Sequence, residues 1–202
     1  MSPRKAAALR DDGPSLCDHL VRTAARLIAE HGTAGLTVRM IAREAGVADG
    51  VLYNHFADKE ELLAHALCAH VQAVEGGLGE LPEPGTGTVA ANLRAHLDYG
   101  LALHRGILPA LAGLTGQPAV LARFAGLTGP QPEWRDRLRG YLEAEAELGR
   151  LAPDAGLDAA VRMIVGVCHE TVLSLLLGGR AEPVDVPAVV ATVLHGIAPR
   201  DG

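Results

Sequence analysis

A chain of 202 residues that is 49% apolar holds material for one large domain, or for a small domain joined to a larger one. Aromatic residues are only 3%, so its core must be Leu, Val, Ile and Ala, a composition that suits packed helices and gives little strand-type alternation. The formal net charge of −6 argues against indiscriminate attraction to nucleic acid, yet the first 60 residues carry eight basic and eight acidic side chains, so local placement decides the matter.

Residues 1–14, with Arg4, Lys5 and Arg10, are expected to form a flexible arm; they are charged and lack the apolar run of a secretory leader. From Ser15, a plausible N-cap, Leu16, Leu20, Ala24, Leu27 and Ile28 mark one helical stripe, closed by His31-Gly32. Thr37 starts a short second helix with Ile41, Ala42 and Ala45 inward and Gly46 at its end. A third helix is expected over 49–55, and Asp58 caps a fourth through Leu62, Leu63, Ala66, Leu67 and Val71. The Gly- and Pro-dense stretch 76–88 reads as a hinge or long loop. Beyond it the pattern predicts helices at about 88–104, 106–113, 118–127, 131–149, 155–178 and 186–198, so the fold class is all-α.

Three short helices with a Gly-containing turn between the second and third describe a helix-turn-helix, in which the last helix enters the major groove. Leu52 and Phe56 are four apart and share an inward face, which leaves Tyr53, Asn54 and His55 outward. Tyr and His can reach phosphates and Asn can pair with adenine, so the partner that explains these side chains is double-stranded DNA.

Residues 36–63 resemble the DNA-binding domain of the TetR family of bacterial transcriptional regulators. The likeness rests on Leu36-Thr37-Val38-Arg39, on Ile41-Ala42 with Ala45-Gly46-Val47, on Gly50, Leu52, Tyr53, His55 and Phe56, and on Lys59 with Leu62. The resemblance implies that Thr37 and Lys59 bind phosphates and that Arg39 reaches a phosphate or a guanine edge. It implies further that Asp49, Gly50, Val51 and Asn54 face bases while Tyr53 and His55 hold the backbone. Departures from the family pattern fall at Ala48, where a Ser or Thr is usual, at Asp49, expected to take over the cap, and at Val51, which offers a thymine only methyls.

For residues 61–202 the resemblance implies a helical effector-binding and dimerisation domain. Residues 155–178 are apolar on nearly every side and are expected to be buried all round; with 186–198 they suit a two-fold dimer interface. A homodimer also follows from the need for two recognition helices on a palindromic operator. The inducer pocket that the family implies has His96, Tyr99, His104, Trp134, Met163 and His169 as candidate ligand contacts, and the sparse polarity of these helices favours a mostly apolar small molecule.

Cys17, Cys68 and Cys168 are odd in number and far apart, which points to reduced thiols and a cytoplasmic location. The most apolar stretch, Val161 to Leu177, is interrupted by Arg162, His169 and Glu170 and falls short of a membrane span, so no membrane partner is expected. Glu61, His65 and Cys68 lie along one helix but lack a further convergent ligand, so neither a metal nor another cofactor is expected. The alternative class is a small-molecule-binding or enzymatic helical protein with a vestigial helix-turn-helix. It finds little support: Ser174 and His169 are badly spaced for catalysis, and there is no nucleophile elbow, P-loop or His-Glu-x-x-His.

Overall fold

The computed structural model describes residues 15–127, 133–180 and 182–197. Among these residues every regular element is a helix: α1 (Leu16–His31), α2 (Val38–Ala45), α3 (Asp49–Leu52), α4 (Lys59–Gly76), α5 (Val89–Ala112), α6 (Pro118–Leu127), α7 (Trp134–Glu147), α8 (Leu157–Leu176) and α9 (Val186–Ile197). The all-α expectation holds. The arm 1–14 and the helix ends expected at 131–132 and 198 lie outside the described residues.

The chain divides into two compact units. The first combines residues 15–75 with 106–127. Its core gathers Leu20, Ile28, Leu36, Ile41, Leu52, Phe56, Leu62 and Leu67, with Ala110, Leu114 and Val120 from the later segment. Ser15 caps α1 through a reciprocal box: its hydroxyl accepts from the Asp18 N–H at 3.2 Å while the Asp18 carboxylate accepts from the Ser15 N–H at 3.1 Å. Arg26 joins α1 to α2, bonding Glu30 one turn on and Glu44 at 2.6 Å. At the start of α4 the Asp58 carboxylate accepts from the Glu61 N–H at 2.9 Å and from both terminal nitrogens of Arg123 on α6. The guanidinium and the backbone N–H hold the Asp58 carboxyl down at about 2.

The second unit combines 76–105 with 133–180 and 182–197. Leu93, Leu97, Leu101, Trp134, Leu138, Leu142, Val161, Ile164, Val172 and Val190 fill its core. Helix α7 packs on α8, and α8 on α9. Gly100 is the point of closest approach: a Cβ there would lie 2.3 Å from the Trp134 ring.

Three expectations are corrected. The helices foreseen at 88–104 and 106–113 are one, Val89–Ala112, with Pro109 inside it. Proline ordinarily breaks a helix by removing an N–H and crowding the preceding turn. Here packing in the first unit fixes the segment: the His70 ring bonds the Gly106 carbonyl at 2.9 Å, Val74 fills the space where a Gly106 Cβ would be, and Thr33 donates to the Ala110 carbonyl at 2.9 Å. The third helix ends at Leu52 and not at residue 55; Tyr53–His55 continue as turns, with the His55 N–H bonding the Leu52 carbonyl at 3.0 Å. Helix α8 is not buried all round within the chain. Ala160, Val161, Ile164, Cys168, Thr171 and Val172 face inward, whereas Met163, Leu173 and Leu176 are exposed. This 20-residue helix is also long and apolar enough, by length and composition, to cross a membrane, although it carries Asp158, Arg162, His169 and Glu170.

Two glycines should respond oppositely to alanine. At Gly113 a Cβ would meet the Thr33 hydroxyl at 2.3 Å and the Ala34 nitrogen at 3.1 Å, so Gly113→Ala is expected to destabilise by about 1–3 kcal/mol. At Gly140, exposed within α7 and open on every side, alanine should stabilise by roughly 0.4–1 kcal/mol. Denaturant midpoints of the two variants check both signs.

The depressed Asp58 pKa stabilises the fold above the ordinary carboxylate range, and that stabilisation is lost as pH falls from about 4 through about 2. Urea unfolding at stepwise lower pH should therefore show Asp58→Asn less stable than wild type at pH 6, with the gap closing below pH ~4.

Candidate nucleic-acid interface

The first unit presents its candidate residues on the outside. Gly46, at φ 71° and ψ 29°, ends α2 in the left-handed conformation, and its neighbour Val47 donates back to the Ala42 carbonyl at 3.0 Å. That turn redirects the chain into α3, which packs on α2. Leu52 and Phe56 are buried, at 2% and 4% exposure, as the four-residue spacing requires. Tyr53 is 59% exposed, and Asp49, Gly50, Asn54 and His55 are exposed with it; Val51 is half-buried.

Thr37 caps α2: its oxygen accepts from the Met40 N–H at 3.2 Å. The hydroxyl proton is still available to an incoming acceptor, so capping and phosphate contact are compatible in one side chain. Lys59 opens α4, where backbone N–H groups and the helix dipole add to its charge.

Asp49 does not cap α3. Ala48 occupies the N-cap with no side-chain bond, and the Asp49 carboxylate instead accepts from Arg39 Nε at 3.3 Å. Arg39 is 86% exposed and the pair stands in water, so it is weak and easily exchanged. The acid on this face is thus accompanied by a cation on the preceding helix.

The second unit contains a pocket of about 280 Å³ lined by Leu81, Pro82, Glu83, Pro84, His96, Arg137 and Tyr141. The stretch read as a hinge supplies one wall. It is fastened by Glu145, which is fully buried, accepts from the Gly85 N–H at 3.2 Å and pairs with Arg150 at 3.2 Å. Arg150 also donates to the Gly87 carbonyl at 2.7 Å, and the Asn92 amide donates to the Thr86 carbonyl at 2.8 Å.

Of the six candidate ligand contacts, His96 lines this pocket. It is 1% exposed, and neither ring nitrogen has a hydrogen-bond partner in the protein. Burial, and then the charge of Arg137, hold it down at about 4, so it is neutral near pH 7. Its ring lies 4.6 Å from that of Tyr141. Tyr99 stands next to the pocket, its hydroxyl accepting from Arg137 at 3.0 Å. His104, Trp134 and His169 form a separate cluster, with His104 edge-on to Trp134 at 5.4 Å and to His169 at 4.8 Å. Met163 is exposed on α8 and joins neither group.

Arg137 and Tyr141 join His96 at this pocket, although the sequence pattern does not single them out. They are four residues apart on one helix, and buried Trp134, Leu138, Leu142 and Glu145 run along the same stretch. The one carboxylate on this otherwise mostly apolar stripe, Glu145, is the clue the sequence offers. Cys17 and Cys68 are half-buried free thiols, while Cys168 is buried and pushed up to about 12 by desolvation. No group of three metal-ligating side chains occurs among the described residues.

Comparison with known proteins agrees with the geometry of the first unit. Residues 20–66 match the family model described as bacterial regulatory proteins, tetR family. Over 184 residues the chain is 29% identical to the HTH-type transcriptional repressor KstR2 of Rhodococcus jostii, covering 89% of each chain. Among solved structures it is similar to the flavonoid-responsive regulator FrrA, at 22% identity and a TM-score of 0.65 over 92% of this chain and 98% of that one. It is also similar to the TetR family transcription regulator SCO0332, at 27% identity and a TM-score of 0.58 over 91% and 99%. With a helix-turn-helix at its head and helices as the regular elements of the other described residues, the chain carries the tetR-family domain of bacterial regulatory proteins over residues 20–66, and over most of its length it is similar to transcriptional regulators of that family.

Proposed function

We propose that this regulator is a ligand-responsive repressor that binds a palindromic operator as a homodimer and lets go when a small, mostly apolar molecule occupies its second part. Residues 15–60 bind DNA; residues 61–202 bind the effector and pair the protomers. The observation that carries the reading is the outward row of Thr37, Arg39, Tyr53, Asn54 and His55 on elements whose other face is buried. Repression is supported by the KstR2 relative, a transcriptional repressor. The protein acts in the cytoplasm, on DNA and without a membrane, and no catalytic role is assigned to it.

On the operator, α3 and the turn after it lie in the major groove, with Asp49, Gly50, Val51 and Asn54 toward the bases. Tyr53, His55, Thr37 and Lys59 hold phosphates. Arg39 exchanges its bond to Asp49 for a phosphate or a guanine. Effector binding shifts α4, and with it the spacing of the two heads. A hundredfold fall in operator affinity requires ~2.7 kcal/mol of differential binding, within the usual range of coupling between sites.

The exposed side of α8 supports pairing. Met163, Gly166, Glu170 and Leu173, with Leu177 at the C-cap, recur at alternating intervals of three and four, the seam of one helix meeting another. On α9 the exposed Ala188, Ala191 and Thr192 are small enough for close approach.

A genomic footprint of the purified protein supplies the operator, and titration of a labelled duplex then tests the head. Tyr53→Ala should weaken binding to every duplex by about 1 kcal/mol. Asn54→Ala should relax preference at one base pair by ~1–3 kcal/mol. Wild-type behaviour in both variants would refute the assignment of these residues.

Sedimentation tests the pairing. Wild type should run at about twice the 21.0 kDa chain mass, and Met163→Glu with Leu173→Glu at the chain mass with its helical content intact. A wild-type monomer at every concentration would refute the homodimer.

A further inference from the structure

We propose that the pocket between the 81–84 segment and the side chains of His96, Arg137 and Tyr141 is a binding site for a small carboxylate with an apolar body, and that this molecule is the effector. The second half of this statement rests on the ligand-responsive reading above; the first does not.

The inference begins with His96. Its ring is almost wholly buried, it lines an open pocket, and both nitrogens lack a partner in the protein. A neutral imidazole presents one N–H donor and one acceptor, so a buried ring with neither satisfied is matched to a polar atom that arrives from outside. The Tyr141 hydroxyl is in the same position. Glu145 and Asn92 stand within its reach, yet it makes no well-aligned hydrogen bond to either. These two groups, their ring centroids 4.6 Å apart and the planes tilted by 39°, open on one cavity.

The charge of the guest follows from the third polar residue. Arg137 is the cation among the lining residues, and it is held in place: its Nη2 donates to the Tyr99 hydroxyl and its guanidinium lies 5.2 Å from the centre of the Tyr99 ring. His96 is neutral there because burial and the same guanidinium oppose its protonation. A carboxylate can take the imidazole N–H and the phenol O–H on its oxygens while facing the Arg137 charge. A cation would meet that charge head-on, and a wholly apolar guest would leave His96 and Tyr141 unpaired. Glu83 also lines the pocket but is exposed to water, which screens it.

Leu81, Pro82 and Pro84 supply the apolar walls, and Glu145, Arg150 and Asn92 hold their loop in place before any ligand arrives. A volume of about 280 Å³ admits one ring or a short chain bearing one acid group, just below the range typical of larger ligands.

The test uses the full chain with benzoate and hexanoate as probes, and benzamide and toluene as controls, at pH 7. Calorimetric titration gives affinity, and the imidazole resonances missing in His96→Phe report on the pocket. Benzoate or hexanoate should bind and shift those resonances. Affinity should fall about tenfold in His96→Phe and several-fold in Tyr141→Phe, which removes a single oxygen and leaves the core filled. Benzamide and toluene should bind at least about tenfold more weakly than benzoate. The proposal is overturned if no carboxylate binds and the His96 resonances report water alone. It is equally overturned if binding is the same in both variants, or if benzamide or toluene matches benzoate. Operator titration separates the two halves of the statement. Duplex binding with no carboxylate uptake removes the site and leaves the regulator; carboxylate uptake at His96 without operator release leaves the site and removes the effector.

Discussion

The burial of Leu52 and Phe56 is the constraint on which the head of this molecule depends. Helix α3 has four residues, far too few to persist on its own in water, where the first turn is lost more readily than it forms. It exists because those two side chains enter the core that α1, α2 and α4 share. Their inward commitment settles the rest of the segment. Once Leu52 and Phe56 point inward, Tyr53, Asn54 and His55 have no interior to enter. Surface chemistry on this face is therefore a by-product of packing, and it can vary widely while the two anchors stay.

The second unit is organised around the opposite device, a charge placed inside. Glu145 is fully buried, and its cost is offset by a backbone N–H and by Arg150. This arrangement turns a Gly- and Pro-rich loop, with no regular structure of its own, into a fixed wall. Apolar packing shapes the first unit; in the second, a polar clamp holds what packing alone would leave loose.

Legibility in the sequence followed locality. The stripe of α1, the caps at Ser15 and Asp58 and the inward pair Leu52 and Phe56 all depend on residues within four positions of one another, and each is readable from spacing. The continuity of Val89–Ala112 through Gly106 and Pro109 was not, because it rests on His70, Val74 and Thr33, tens of residues away. The place of Asp49 was misjudged for a related reason. Its partner, Arg39, sits on the preceding helix, and only the turn at Gly46 brings the two together. In the second unit His96 could be named as a candidate, but its companions Arg137 and Tyr141 lie on a helix about 40 residues later, and no local pattern joins them to it.

The fastening of residues 85–87 to a single interior acid has an implication for how this protein can change. An apolar replacement of Glu145 would release the Gly85 amide and at the same stroke leave the partly buried guanidinium of Arg150 with backbone carbonyls alone, so neither loss could be repaired by adjusting the other. Drift in the loop is thus tethered to a residue 60 positions downstream: its proline and leucine side chains are at liberty to diversify, while the backbone that carries them is not.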